Sequence, residues 1–303
     1  MSNVIVAPET PETPVLSAVT LRSYANSLKR LQRAELDLTD YNAVCAWIDG
    51  LEKGLETKKL YYNALAHNFK YTDAPLADRY KSRMRPLARV LFHESRSQRL
   101  TDTEREKYLP YDEIQDVFNY AILDPDISKQ DAMLLGFYTQ IPPVRSDYSR
   151  LRVYYNQHVE TAENCIEIWG NARWCPNATT MTVHIAEHKT ASTSGTLKRE
   201  IPLRLREVIC DYLKGRAVVS NMRLEDYLAT EIYLFDFPPA EITVRLQRVF
   251  QRYTGKAISV NIIRHAYITK QTEGRPALAQ LEEEAAEMGH SVLTHEKYRR
   301  LDA

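Results

Sequence analysis

Met181-Thr182-Val183-His184-Ile185, then Lys189-Thr190-Ala191-Ser192-Thr193-Ser194-Gly195, then Arg199-Glu200-Ile201-Pro202-Leu203: two alternating, β-branched runs flank a polar turn. Here the apolar period falls to 2, which predicts a β-hairpin. Upstream, Arg152-Val153-Tyr154-Tyr155 and Cys165-Ile166-Glu167-Ile168-Trp169 read as two more short strands. Helical patterns precede them, near Asp112 to Ala121 and Lys129 to Tyr138, and helices return after Pro202 to dominate from Glu241 onward. The predicted class is mainly α with a small antiparallel β-sheet.

Further outward, toward the N-terminus, the pattern is helical only. Ser17 caps a helix with Leu21, Tyr24, Leu28 and Leu31 at helical spacing, and Asp40 starts a second with Val44, Trp47, Ile48 and Leu51. Thr57 caps a third with Leu60, Tyr61, Leu65 and Phe69. The basic segment after Pro75 makes the fourth, turning Leu76, Tyr80, Met84, Leu87 and Leu91 inward. Four amphipathic helices predict a small bundle over residues 17–98, after a flexible tail at 1–16. The periodicity lapses into Thr-Asp-Thr-Glu-Arg-Glu-Lys between Ser97 and Pro110, so a linker is expected at 99–110 and a second domain at 111–303.

At 303 residues, 44% hydrophobic and 26% charged, the chain has the composition of a globular protein, long enough for two cores. No apolar run approaches the roughly 18 residues of a membrane span. The Pro-rich start lacks the cationic and apolar blocks of a secretory signal, so an intracellular, non-secreted protein is expected. Cys45, Cys165, Cys175 and Cys210 form no Cys-x-x-Cys pair, which argues against a zinc ribbon or a disulfide framework and for a reducing compartment.

The net charge is zero, yet its distribution is uneven. Arg79, Lys81, Arg83, Arg85, Arg89 and Arg96 crowd one helix against a single Glu94, while acids gather at 102–131 and 282–287. A neutral chain can still present one positive face to phosphates, and these six residues are the expected DNA contacts.

Chemistry gathers in the second half. Arg145 follows Ile141-Pro142-Pro143-Val144, where paired prolines end a helix. Arg264 and His265 lie in Val260-Asn261-Ile262-Ile263-Arg264-His265-Ala266, and Met288-Gly289-His290 precedes a last helical stretch holding Tyr298. Guanidinium groups suit a phosphoryl centre because parallel N–H donors match two oxygens and keep their charge at any working pH. Each residue alone reads as an ordinary surface or packing group; the ordered set carries the signal.

That order resembles the tyrosine recombinase family of phage-type integrases and resolvases: an arginine after a helix, a hairpin lysine, a His-x-x-Arg-His helix, a Gly-His turn and a C-terminal tyrosine. Arg145, Lys189, Asn261 with Arg264 and His265, His290 and Tyr298 fill those places, and Lys198 competes with Lys189 for the hairpin role. The resemblance implies a helical core-binding domain followed by an α+β catalytic domain. It further implies that Tyr298 attacks the scissile phosphate to give a 3′-phosphotyrosyl enzyme and a free 5′ hydroxyl. Arg145, Arg264 and His290 would hold the non-bridging oxygens, and the lysine would protonate the leaving oxygen. No metal or cofactor is implied. The implied partner is double-stranded DNA, bound by a homo-tetramer that is a monomer or weak oligomer off DNA, with no membrane; the Pro142-Pro143 element points toward a virus or mobile element. The chain departs from the family at Asn261, usually His or Lys, and at Asp147, an acid two rather than three residues after the first arginine. A catalytically inactive DNA-binding descendant and a type IB topoisomerase-like relaxing enzyme are the competing expectations.

Overall fold

The computed structural model describes residues 16–158, 162–171, 179–188, 191, 195–287 and 292. Their architecture is mostly helical with a small mixed sheet of five strands. The chain divides into two compact units, Met1–Arg99 with Pro276–Ala303, and Leu100–Arg275.

In the first unit, α1 (Ala18–Arg33) is capped by Ser17, whose hydroxyl accepts the Thr20 amide, and α2 (Tyr41–Gly50) by Asp40, which accepts two amides. The third helix, α3 (Leu55–Phe69), begins at Gly54 rather than at the expected Thr57. The Gly54 carbonyl accepts the Thr57 and Lys58 amides, so Thr57 lies inside the first turn. Asp73 caps the long α4 (Ala74–Ser97) through the Leu76 amide at 3.0 Å. The bundle buries Leu31, Val44, Ile48, Tyr62, Leu65 and Tyr80 in a core of its own. A helix much later in the sequence, numbered α12 (Leu278–Glu287), joins this unit: Glu282 pairs with Arg96, and the Leu278 amide donates to Gln98 Oε1 at 2.8 Å.

The second unit opens on α5 (Asp102–Lys107), a helix inside the expected linker. Thr101 and Glu104 cap it reciprocally. Then follow α6 (Tyr111–Ala121), α7 (Lys129–Thr139), the strands β1 (Arg152–Tyr155), β2 (Cys165–Gly170), β3 (Thr179–Ile185) and β4 (Leu197–Glu200), α8 (Leu203–Val219), α9 (Leu224–Leu228), β5 (Ile232–Tyr233), α10 (Glu241–Thr254) and α11 (Val260–Gln271). The sheet order is β4-β3-β2-β1-β5. The expected hairpin is present, with Val183 opposite Arg199 and His184 opposite Lys198.

The sheet is mixed rather than antiparallel, because β1 runs parallel to β2, in register Val153 with Ile166. Alternation reveals which side chains face the core, not which way the neighbouring strand runs. Asn156, at φ 48°, turns the chain at the end of β1, and its side-chain amide exchanges hydrogen bonds with the Gly170 backbone at 2.8 and 3.0 Å. One face of the sheet sends Val153, Ile166, Ile168, Met181 and Val183 into a core shared with the helices.

Cys45 and Cys165 are free and buried, whereas Cys210 of α8 is disulfide-bonded, which the expectation of a reducing compartment without a disulfide framework does not anticipate. Among the described residues no helix is long and apolar enough to cross a membrane.

Candidate functional site

The site forms where α7 ends. Proline cannot continue a helix, and after Gln140 the chain runs as an open turn through Ile141-Pro142-Pro143-Val144 to Arg145. Ile141 and Val144 are buried and anchor the turn, leaving the Arg145 side chain exposed. Tyr138, the penultimate residue of α7, donates its phenol to the Arg145 carbonyl, and Tyr148 donates to the Pro142 carbonyl at 3.0 Å. The Arg145 amide donates to Asp147 Oδ2 at 3.2 Å. Burial holds the Tyr138 phenol well above its ordinary range, so it remains a donor.

Arg264 arrives on α11, whose N-terminus is capped by Ser259. Ile262, Ile263 and Ala266 bury the far side of that helix, and Val260 is buried one turn before Arg264, which is itself part-buried. The two arginines come close enough to feel each other. Burial first, and the Arg145 charge second, lower the Arg264 guanidinium from its ordinary value, while Asp147 and Tyr138 oppose that shift. Arginine nevertheless keeps its proton in proteins, so the site carries two positive charges.

Among the described residues neither guanidinium has a carboxylate within ion-pair distance, whereas Arg152, Arg223, Arg245 and Arg252 of the same unit each do. Two like charges side by side are relieved by a bound anion, and guanidinium geometry favours a phosphoryl or carboxylate group.

The neighbouring expectations fall out unevenly. Asn261 sits exposed in the first turn of α11, on the same face as Arg264 and His265 by helical spacing. His265 is half exposed and lies 3.6 Å from Glu104 of α5. Lys198 is exposed on the sheet face turned away from the core, opposite His184. The adjacent Arg199, which the sequence reading overlooked, points to the core side, and its Nε is buried without a hydrogen bond. Its charge acts on Tyr148. Lys189, His290 and Tyr298 lie outside the described residues.

The basic helix is less available than its charge count suggests. Arg79 lies over the Tyr41 ring at 4.0 Å, Lys81 pairs with Asp78 at 3.0 Å, Arg83 with Asp49, and Arg96 with Glu282 while covering the Phe92 ring at 4.6 Å. Arg85 and Arg89 remain exposed with no ion pair among the described residues.

A second polar cluster, also absent from the sequence reading, lies on the outer face of the sheet. Glu167 is 4% exposed, with His184 Nε2 at 3.5 Å, His158 Nδ1 at 3.4 Å and the Trp169 indole donating at 3.3 Å. Burial lowers the pKa of His184 despite the carboxylate beside it.

No family model matches the chain, and no curated protein matches it.

Proposed function

We propose that the chain is a site-specific DNA recombinase of the tyrosine recombinase type, which cleaves and rejoins DNA through a 3′-phosphotyrosyl intermediate. The observation that carries this reading is that Arg145 and Arg264, from distant parts of the chain, lie within electrostatic reach of each other while neither has a carboxylate partner among the described residues. In this reading residues 17–98 are a helical core-binding domain and residues 111–303 an α+β catalytic domain. Duplex DNA is the substrate and a homo-tetramer the working assembly. No cofactor takes part.

The step balances without one. The Tyr298 oxygen forms a bond to the scissile phosphorus as its phenolic proton is lost to solvent or a neighbouring base, and the bond to the 5′ oxygen breaks. Lys189, or Lys198 in its place, gives that oxygen its proton. Arg145, Arg264 and His290 offset the charge on the non-bridging oxygens. Water is not consumed, so the phosphotyrosyl bond remains available for rejoining. Asn261 can donate a hydrogen bond to a phosphate but takes no proton at neutral pH.

Asn261 also favours a second reading, a DNA-binding descendant that has lost the chemistry. Trapping separates the two. A pool of duplexes with randomised sites and 5′-bridging phosphorothiolate linkages is incubated with the full chain and with Tyr298→Phe, then resolved under denaturing conditions. A covalent band that disappears in Tyr298→Phe is expected. Salt-sensitive binding with no band at any site would sink the enzyme and leave the descendant.

A further inference from the structure

The turn that carries Arg145 does not fix itself. Pro142 and Pro143 have no amide hydrogen, and among the described residues 141–145 take part in no backbone–backbone hydrogen bond. Side chains do the fixing instead. Tyr148 Oη holds the Pro142 carbonyl at 3.0 Å, Tyr138 Oη holds the Arg145 carbonyl, and Asp147 accepts the Arg145 amide.

Both tyrosines are fully buried, and their rings meet edge-on with centroids 5.4 Å apart. Phe137 packs against Tyr148 at 5.0 Å, so the two phenols are fixed by the core rather than by solvent. The core thereby dictates both ends of a turn whose last residue is an exposed cation.

We propose that Tyr138 is the positioning residue of the anion site: its buried phenol, backed by Tyr148, sets the Arg145 backbone and so the spacing between the Arg145 and Arg264 guanidiniums. The proposal deepens the recombinase reading and depends on it only for the identity of the anion, a scissile phosphate. Two guanidiniums grip a tetrahedral oxyanion together only when their spacing is held to about half an ångström. The Tyr138 hydroxyl touches no substrate and acts through the carbonyl of Arg145. Tyr138→Phe keeps the ring and its packing and removes only the donor.

Tungstate, a tetrahedral oxyanion, is titrated calorimetrically into the full chain at low ionic strength, with an unfolding midpoint recorded for every variant. Wild type is expected to bind tungstate, and Arg145→Ala or Arg264→Ala to leave it a weak but measurable affinity. Tyr138→Phe is expected to weaken tungstate about tenfold, as a displaced binding group does, with no further loss when added to Arg145→Ala. Tyr148→Phe, acting on the other end of the turn, provides the same test should Tyr138→Phe fail to fold. Tyr111→Phe serves as control, because it removes buried hydroxyl bonds to the Tyr138 and Thr139 carbonyls, at 3.4 and 3.0 Å, that lie at the end of α7 and not in the turn. Wild-type affinity in both turn variants would overturn the proposal. So would an equal loss in Tyr111→Phe, a loss that adds to that of Arg145→Ala, or wild-type tungstate binding that ignores Arg145. Should the tungstate pattern hold while no Tyr298-dependent adduct forms on DNA, the recombinase reading fails and the positioning role stands.

Discussion

The paired arginines of the second unit and the basic helix α4 of the first are both cationic, and the structure treats them in opposite ways. On α4 most of the charge is used internally: Arg83 joins Tyr62 on Asp49, Arg96 takes Glu282, and Arg79 lies over an aromatic ring. Around Arg145 and Arg264 the hydrogen bonds go to the backbone of the turn, and among the described residues the guanidiniums themselves have no carboxylate partner. Four of the six lysines and arginines of α4 thus stitch that helix to its surroundings, while the two separated arginines are the ones we propose as a binding site. Local charge density is a weaker guide to function than what each charge faces.

The comparison breaks most decisively at the paired site. Arg264→Ala and Arg145→Ala are each expected to slow covalent adduct formation by roughly 10²-fold or more, the usual loss for a donor to a developing oxyanion. Single-turnover trapping at saturating DNA measures this. A near-normal rate for either variant would remove that arginine from the site and return it to the ordinary surface.

The helix yields a smaller effect and a sharper contrast. Arg85 and Arg89 are its exposed cations without an internal partner among the described residues, so changing both to Ala should reduce the slope of log affinity against log salt by up to about 1.8, at roughly 0.9 per phosphate contact on duplex DNA. Lys81→Ala and Arg83→Ala should leave that slope unchanged, since their charges are already matched by Asp78 and Asp49. Fluorescence anisotropy across a salt series decides it. An equal slope change for Arg83→Ala would mean that DNA draws Arg83 away from Asp49 and that the internal pairing is only a resting state.

Legibility in the sequence follows the same division between pattern and partner. Ser17 and Asp40 were readable as caps because a side-chain acceptor at a helix start acts on amides two or three residues away. The Thr101–Glu104 capping box is equally local, yet six residues without apolar periodicity give a helical pattern nothing to repeat, so α5 has only its cap as a signal. The two residues of β5 and the parallel pairing of β1 with β2 have no local signature. Arg145 and Arg264 were singled out by residue order and family resemblance; what surrounds them was hidden. Tyr138 lies in a helix buried on nearly every side, where an aromatic reads as core, and nothing local reveals that its hydroxyl meets a carbonyl seven residues on. Glu167 and His184 read as ordinary strand residues until the register of β2 and β3 brings them to one face of the sheet.

That last pair gives the smallest expected effect, and it extends the comparison to a cation the fold disfavours. His184 is 7% exposed, with Glu167, His158 and Lys198 as the ionisable groups acting on it. Burial outweighs the attraction of Glu167, and Lys198 and His158 add to the depression, so the folded pKa lies below the ordinary 6.5. The unfolded chain therefore binds the proton more readily than the folded one, and protonation favours unfolding. The contribution of His184 to stability is fully present above about pH 6.5 and is lost as the pH falls toward the folded value. Urea unfolding midpoints for wild type should drop between pH 7 and pH 5.5, and His184→Gln should flatten the part of that drop that His184 supplies. A profile with the same slope in both proteins would show that Glu167 compensates the buried charge in full, which would make the sheet face a paired site like Arg83 with Asp49 rather than a place where the fold refuses a cation.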